Sequence, residues 1–318
     1  MHALLEDAWQ LTSVVPAGWL VAAYNLTTSG HPLLLCVEER VLKEVLGTQD
    51  MGLVWPQTRV AEPYRARLFE LTPGGVHSHE LVGLKMRALH VDLLPDARAI
   101  VCGARARFDA LGAEHNANVF DLRSGAIVSE FTLGDGISHV QALEDSSIVV
   151  GYFDQGVEGA LGWKQPLGAS GLVRFDQHGN PLWRFPVSQK LAPMDECYAL
   201  NASLEETWVY YYRDFALVRF DRAGDVGGVW NLAVQGAHAV AVAGGYAALF
   251  GSYEDSRDCC LLSLRASGQA DEVYRFQLPL PPRSQVVARR GHYGALLGNS
   301  WLRGDFAALV RAFTNQKS

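Results

Sequence analysis

The pentapeptide "LVRFD" occurs at 172–176 and again at 217–221, and each copy runs into a turn containing glycine and then a strand containing tryptophan, "LVRFDQHGNPLWRF" and "LVRFDRAGDVGGVW". Self-similarity of this kind constrains a chain more than any composition does, because every copy must adopt the same local structure and bury the same face. Weaker copies read "RLFELTPGG" from 67, "NVFDLRSGA" from 118 and "LLSLRASGQ" from 261. Each alternates apolar and polar residues before a turn, the pattern of a strand entering a hairpin. The strand after the turn places Phe131, Trp183, Trp230 or Phe276 near its end. Aromatic residues at this recurrent place are expected to wedge between neighbouring units.

Two further strands precede each hairpin: "LHVDLLP" with "AIVCGARARF", "SHVQALE" with "SIVVGYFD", "CYALNAS" with "TWVYYYRDF", "AHAVAVAG" with "AALFGSYED", and "SQVVARR" with "YGALLGN". Four strands per unit at this spacing predict an all-β chain, a single β-propeller over residues 1–318 built from four-stranded antiparallel blades. First strands near His90, His139, Tyr198, His238 and Gln285 mark five blades. Residues 15–85 supply a sixth, enlarged by an insertion around 38–60 in which "EERVLKEVLG" reads as a helix. Seven blades result if 15–85 splits in two. The last unit contains "SQVVARR", "YGALLGN" and "FAALVRAF" but runs out of chain, so the N-terminal "AWQLTSV" is expected to supply its missing strand and close the ring.

Composition narrows the function classes. A formal charge of -7 gives no basis for gripping nucleic acid or an anionic membrane. The start "MHALLEDAWQ" lacks the basic patch and apolar run of a secretory signal, and no uninterrupted apolar stretch is long enough for a membrane span. Five cysteines without CxxC spacing fit reduced thiols, which makes the cytoplasm the expected location.

"LVRFDQHGNPLWRF" and "VFDLRSGAIVSEF" resemble the third and fourth strands of WD40-like and quinoprotein-type repeats, with an aspartate before a glycine turn and an aromatic after it. The order "GDGISHVQ", "VGYFDQGVEG", "GASGLVRFD", "ECYALN", "YYYRDF" is similar to a set of uncharacterised bacterial propeller proteins. The resemblance implies architecture and brings no activity. Gly-His and Trp-Asp dipeptides are missing at the expected places. The pair Cys259–Cys260 is similar to a vicinal disulfide of some quinoproteins, but within "DCCLLSL" it reads as two reduced core cysteines.

Three readings compete for the chemistry. His90, His139 and His238, with Gln285, occupy one equivalent position on first strands and could converge on a divalent metal such as Zn, Mn or Fe. The preferred reading is structural: aspartates 15 to 19 residues later (Asp109, Asp154, Asp255, and Asp214 after Tyr198) would lock each blade through a His–Asp bond. The segment "DQGVEGALGWKQPLGASG" (154–171) is a long Gly-rich loop, read as a surface insertion that the fold can spare, with Trp163, Tyr152, Asp154 and Gln155 as candidate binding residues. "YYYRDF" (210–215) could form an aromatic cage, although strand alternation favours core. No GxSxG, HExxH or phosphate-binding glycine motif occurs. The expected function is therefore a non-catalytic cytoplasmic propeller that recognises a protein partner through rim loops, with no cofactor. The alternatives are a metal-dependent lyase, hydrolase or oxidoreductase, and a carbohydrate or small-metabolite binder.

Overall fold

Runs such as "PLLLCVE", "IVVGY" and "AALF" are apolar on both faces of a strand, so they can be buried only where a sheet is covered on both sides. The computed structural model, which describes residues 5–47, 57–188 and 191–314, places them there. Six four-stranded antiparallel sheets follow one another along the chain as the blades of a six-bladed β-propeller. Blade 1 consists of Trp19–Leu26, Pro32–Glu38, Arg59–Thr72 and Gly75–Met86; blade 2 of Leu89–Leu94, Arg98–Gly103, Ala117–Asp121 and Ile127–Phe131. Blade 3 consists of Ile137–Ala142, Ile148–Tyr152, Leu172–Phe175 and Pro181–Arg184; blade 4 of Glu196–Ala202, Glu206–Tyr212, Ala216–Asp221 and Val226–Asn231. Blade 5 consists of Ala239–Ala243, Tyr246–Phe250, Asp258–Leu264 and Ala270–Gln277.

Blade 6 takes Val286–Arg289, His292–Leu297 and Ser300–Asp305 from the C-terminal end, and its outer strand is the N-terminal Glu6–Gln10, antiparallel to Ser300–Asp305. The third strand here is "SWLRGD", which corrects the reading of "FAALVRAF" as a strand. That stretch opens the helix α3 (Phe306–Thr314), because Phe306, Leu309, Val310 and Phe313 recur at helical spacing and Asp305 accepts the Ala308 N–H at 2.7 Å as a cap. The helix predicted within 38–47 is α1 (Glu39–Leu46), while 48–56 of the predicted insertion lie outside the described residues. Among the described residues no helix is long and apolar enough to cross a membrane.

The chain falls into two compact units. One comprises Val14–Asn25 and His31–Glu196, which holds blades 1 to 3 apart from the end of the first strand. The other comprises Met1–Ser13, Leu26–Gly30 and Cys197–Ser318, which holds blades 4 to 6. Within each unit the apolar cores lie between successive blades, and three of the four expected wedges take part: Phe131 packs between blades 2 and 3, Trp230 between 4 and 5, and Phe276 between 5 and 6. Cys259 and Cys260, on alternate faces of one strand, enter two different cores, and both are free thiols.

The repeated aspartate is a turn residue. Asp176 Oδ1 accepts the N–H groups of His178 and Asn180 at 2.8 and 2.9 Å, and Asp221 Oδ1 accepts those of Ala223 and Asp225 at 2.9 and 3.0 Å. The leucine, valine and phenylalanine of both copies are buried, so "LVRFD" encodes a two-faced core strand and the start of its hairpin.

First strands are tied by asparagine. In the unit of blades 4 to 6, Asn201 Nδ2 donates to the carbonyls of Val240 and Arg290 at 2.8 and 2.9 Å, and its Oδ1 accepts the Arg290 N–H at 2.7 Å. In the other unit Asn25 Nδ2 reaches the carbonyls of Val91 and Val140 at 3.1 and 3.4 Å. One side chain thus spans three consecutive blades in each unit.

Candidate functional site

At His90 and His238 backbone partners take the place of the predicted His–Asp locks. His90 Nε2 lies 3.2 Å from the Ile137 carbonyl, and His238 Nε2 accepts the Val286 N–H at 3.0 Å. The carboxylates are engaged elsewhere: Asp109 accepts the Leu111 N–H, Asp154 the Gln155 N–H, and Asp255 holds the Arg257 guanidinium. Burial, with the neighbouring His139 adding to it, lowers the His90 pKa to about 4, so this imidazole is neutral at physiological pH. His90 and His139 are therefore brought together, whereas His238 and Gln285 belong to the other unit. Among the described residues no group of three or more His, Cys, Asp or Glu side chains is placed to hold a metal.

The loop 154–171 is packed and belongs to the fold, which corrects its reading as a dispensable insertion. Trp163 is buried, its indole N–H donates to the Ala106 carbonyl at 2.8 Å, and its ring lies 5.1 Å from that of Phe108. Tyr152 is fully buried, and its hydroxyl donates to the Leu133 carbonyl at 2.5 Å. Neither ring is presented to a ligand. Gly162 stands at φ +93° where a Cβ would strike the Phe108 carbonyl, so only glycine admits this approach. Asp154 and Gln155, at the start of the short helix α2 (Asp154–Glu158), are exposed, and the negative charge of Asp154 adds to burial in raising the Glu196 pKa.

What the loop supports was not legible beforehand. Residues 104–116 of blade 2, predicted to begin as a continuation of the second strand, instead leave the blade and form an extra hairpin, Phe108–Asp109 with Gly112–Ala113. A ribbon this short has no stability of its own. Here it rests on the loop: the Phe108 N–H donates to the Leu161 carbonyl at 2.9 Å, and the Phe108 and Trp163 rings meet. Its root is held by Arg105, paired with the buried Asp135 through two hydrogen bonds of 2.7 and 2.9 Å. At its tip Leu111 is 98% exposed.

Three insertions in this unit interrupt the same connection, between second and third strands: 39–58 in blade 1, 104–116 in blade 2 and 153–171 in blade 3. Contacts tie the blade 2 hairpin to its neighbours on both sides. Arg59, opening the third strand of blade 1, pairs with Glu114 at 2.6 Å and donates to the His115 carbonyl at 2.7 Å, and the hairpin then meets the blade 3 loop. In blades 4 to 6 the equivalent connections are 213–215, 251–257 and 298–299. "YYYRDF" divides at this point: Tyr210 and Tyr211 are core, as alternation between two covered faces favours, but Tyr212 is exposed.

Residues 168–257 match the YxzG family, a segment that contains both "LVRFD" copies. No curated protein matches the chain. Among solved structures the chain is similar to the β-propeller domain of Cps50 (Swd1) from Myceliophteria thermophila, at 12% identity and a TM-score of 0.50, covering 92% of this chain and 82% of that one. It is also similar to the Pan2 WD40 domain of Neurospora crassa, at 11% identity and a TM-score of 0.49 over 96% and 97% of the two chains. BamB from Moraxella catarrhalis matches at 10% identity and a TM-score of 0.47 over 94% and 98%. At such identities the likeness to the Swd1 domain bears on the fold alone, a β-propeller.

Proposed function

We propose that the chain is a non-catalytic, cytoplasmic propeller that recognises a protein partner through the built-up end of blades 1 to 3. The observation that carries this reading is that all three long insertions fall on the connection between second and third strands, with the blade 2 hairpin tied to the blade 1 strand by Arg59 and to the blade 3 loop by the Phe108–Trp163 contact. Strands alternate in direction within an antiparallel blade, so these connections leave their blades at one end and form a single surface. Long connections held in fixed positions are the usual carriers of recognition.

The hairpin tip supplies the anchor. A tryptophan, a close-packed glycine and a buried ion pair hold a two-stranded ribbon whose foremost side chain, Leu111, is almost fully exposed. Burying such a side chain in a partner contributes about 1.5–3 kcal/mol, the size of a binding hot spot. Asp154 and Gln155 stand exposed on the adjoining loop, where they can serve as polar contacts around that anchor. The test is the Leu111→Asp variant, which is expected to melt like the wild type. A polypeptide held stoichiometrically by the wild-type protein in extracts of its own cells should be lost from the variant. Retention of that polypeptide, or its absence from the wild type, contradicts the reading.

A further inference from the structure

A second surface feature lies in the unit of blades 4 to 6 and owes nothing to the insertions. Tyr198 lies in the first strand of blade 4, Tyr212 ends its second strand, Phe215 sits in the turn that follows, and Tyr253 comes from the corresponding connection of blade 5. Their rings form one contiguous group. Tyr198 and Tyr212 stack at 5.9 Å and 26°, and Tyr253 meets Tyr198 edge-on at 6.1 Å and 86°. Phe215 is edge-on to Tyr212 at 5.7 Å and to Tyr253 at 6.0 Å. The Tyr198 and Tyr253 hydroxyls are 2.6 Å apart. Tyr212 is 37% exposed and Tyr253 58% exposed, so aromatic faces reach solvent.

The group is held in place at a conformational cost. Phe215 adopts φ +52°, a left-handed conformation that a bulky side chain rarely takes and that glycine or asparagine would fill without strain. The strained choice puts a ring among three tyrosines. Tyr253 is fixed by its N–H, which donates to the Gln235 carbonyl at 3.1 Å, and by Gly236, where a Cβ would press on the Tyr253 ring. Behind the group, Tyr210 is buried and donates to the Val234 carbonyl at 2.5 Å. Exposed carboxylates adjoin the rings in the chain: Asp214 precedes Phe215 and Glu254 follows Tyr253. Arg213 is the basic side chain of the same turn.

Electron-rich ring faces attract organic cations and have no use for anions, and carboxylates close by in the chain add to that preference. We propose that Tyr198, Tyr212, Phe215 and Tyr253 form a binding site for an alkylammonium group. The interaction is cation–π attraction, reinforced by Asp214 and Glu254 and opposed by Arg213. The site is built from residues of blades 4 and 5 alone, and its assignment does not rest on the one made for the protein partner.

The test uses the full-length protein labelled with 3-fluorotyrosine, with choline as the probe and its uncharged carbon isostere 3,3-dimethylbutan-1-ol as control. Choline should shift the fluorine resonances of Tyr212 and Tyr253 saturably, and the isostere should bind about three- to fivefold more weakly, the margin that an exposed cation–π contact supplies. Phe215→Gly, which relieves the left-handed strain and so should fold, is expected to lose the choline response, as is Tyr253→Ala. Asp214→Asn should weaken choline binding and Arg213→Gln should strengthen it. No saturable shift with choline overturns the proposal, as does equal binding of the isostere or a response that survives Phe215→Gly. Saturation by methyl β-glucoside with none by choline would overturn it in favour of a saccharide.

Discussion

Replacing Asn201 by alanine removes three hydrogen bonds at once, of 2.8, 2.9 and 2.7 Å, from a side chain that is 2% exposed. The losses are unequal. The Arg290 carbonyl keeps the Val242 N–H at 3.2 Å, whereas the Arg290 N–H is left facing a void, at a residue held at φ +51°. At about 1 kcal/mol net for each bond, and more for a stranded buried donor, the expected cost is about 3–4 kcal/mol. Asn201→Asp should cost at least as much, because it exchanges the amide donor for a carboxylate aimed at two carbonyl oxygens. Asn25, which reaches the Val91 and Val140 carbonyls at 3.1 and 3.4 Å, should also lower stability when replaced by alanine, by at least about 1 kcal/mol. Urea unfolding provides the assay, with the slope unchanged and the midpoint moved. An Asn201→Ala or Asn25→Ala loss below about 0.5 kcal/mol would refute the claim that these amides tie the blades.

Trp163→Ala should lower stability by about 3–5 kcal/mol and speed hydrogen exchange across 108–113 more than elsewhere, since the ring supports the extra hairpin. Deleting residues 1–12 removes the outer strand of blade 6 together with buried Leu5 and Leu11, and calorimetry should find a loss of at least about 4 kcal/mol. The low pKa of His90 has a definite sign: the unfolded chain takes up its proton near pH 6.5 and the folded chain only near pH 4, so stability falls as pH drops through that window. The full span is worth about 3 kcal/mol, and His90→Gln should remove that part of the pH dependence in parallel urea titrations.

Blade number and order were legible because the core strands are apolar on both faces and their hairpins carry Asp176, Asp221 and a following glycine in nearly fixed positions. The end of the chain was not. "FAALVRAF" satisfies both a strand covered on two faces and a helix, and Asp305, which caps α3, decides between them only once the preceding "SWLRGD" has paired. His90 and His238 take backbone groups of neighbouring blades as partners, a tertiary relation that spacing does not encode. In "DQGVEGALGWKQPLGASG" the glycines suggested a free loop, but they record close backbone approaches, as at Gly162 against Phe108. "YYYRDF" hid its surface member for a related reason, because only the strand end at Tyr212 separates core from solvent.

The proposal that the insertions of blades 1 to 3 recognise a partner, with Leu111 foremost, is tested most directly by a photo-crosslinking residue at that position. Carried at position 111 in living cells, it should join the protein to a single polypeptide identifiable by mass spectrometry. The yield should fall when Trp163→Ala loosens the hairpin. The same residue at Leu182, which is 59% exposed on the outer strand of blade 3, should give no such product. A product of equal yield from position 182, or none from position 111, would contradict the assignment.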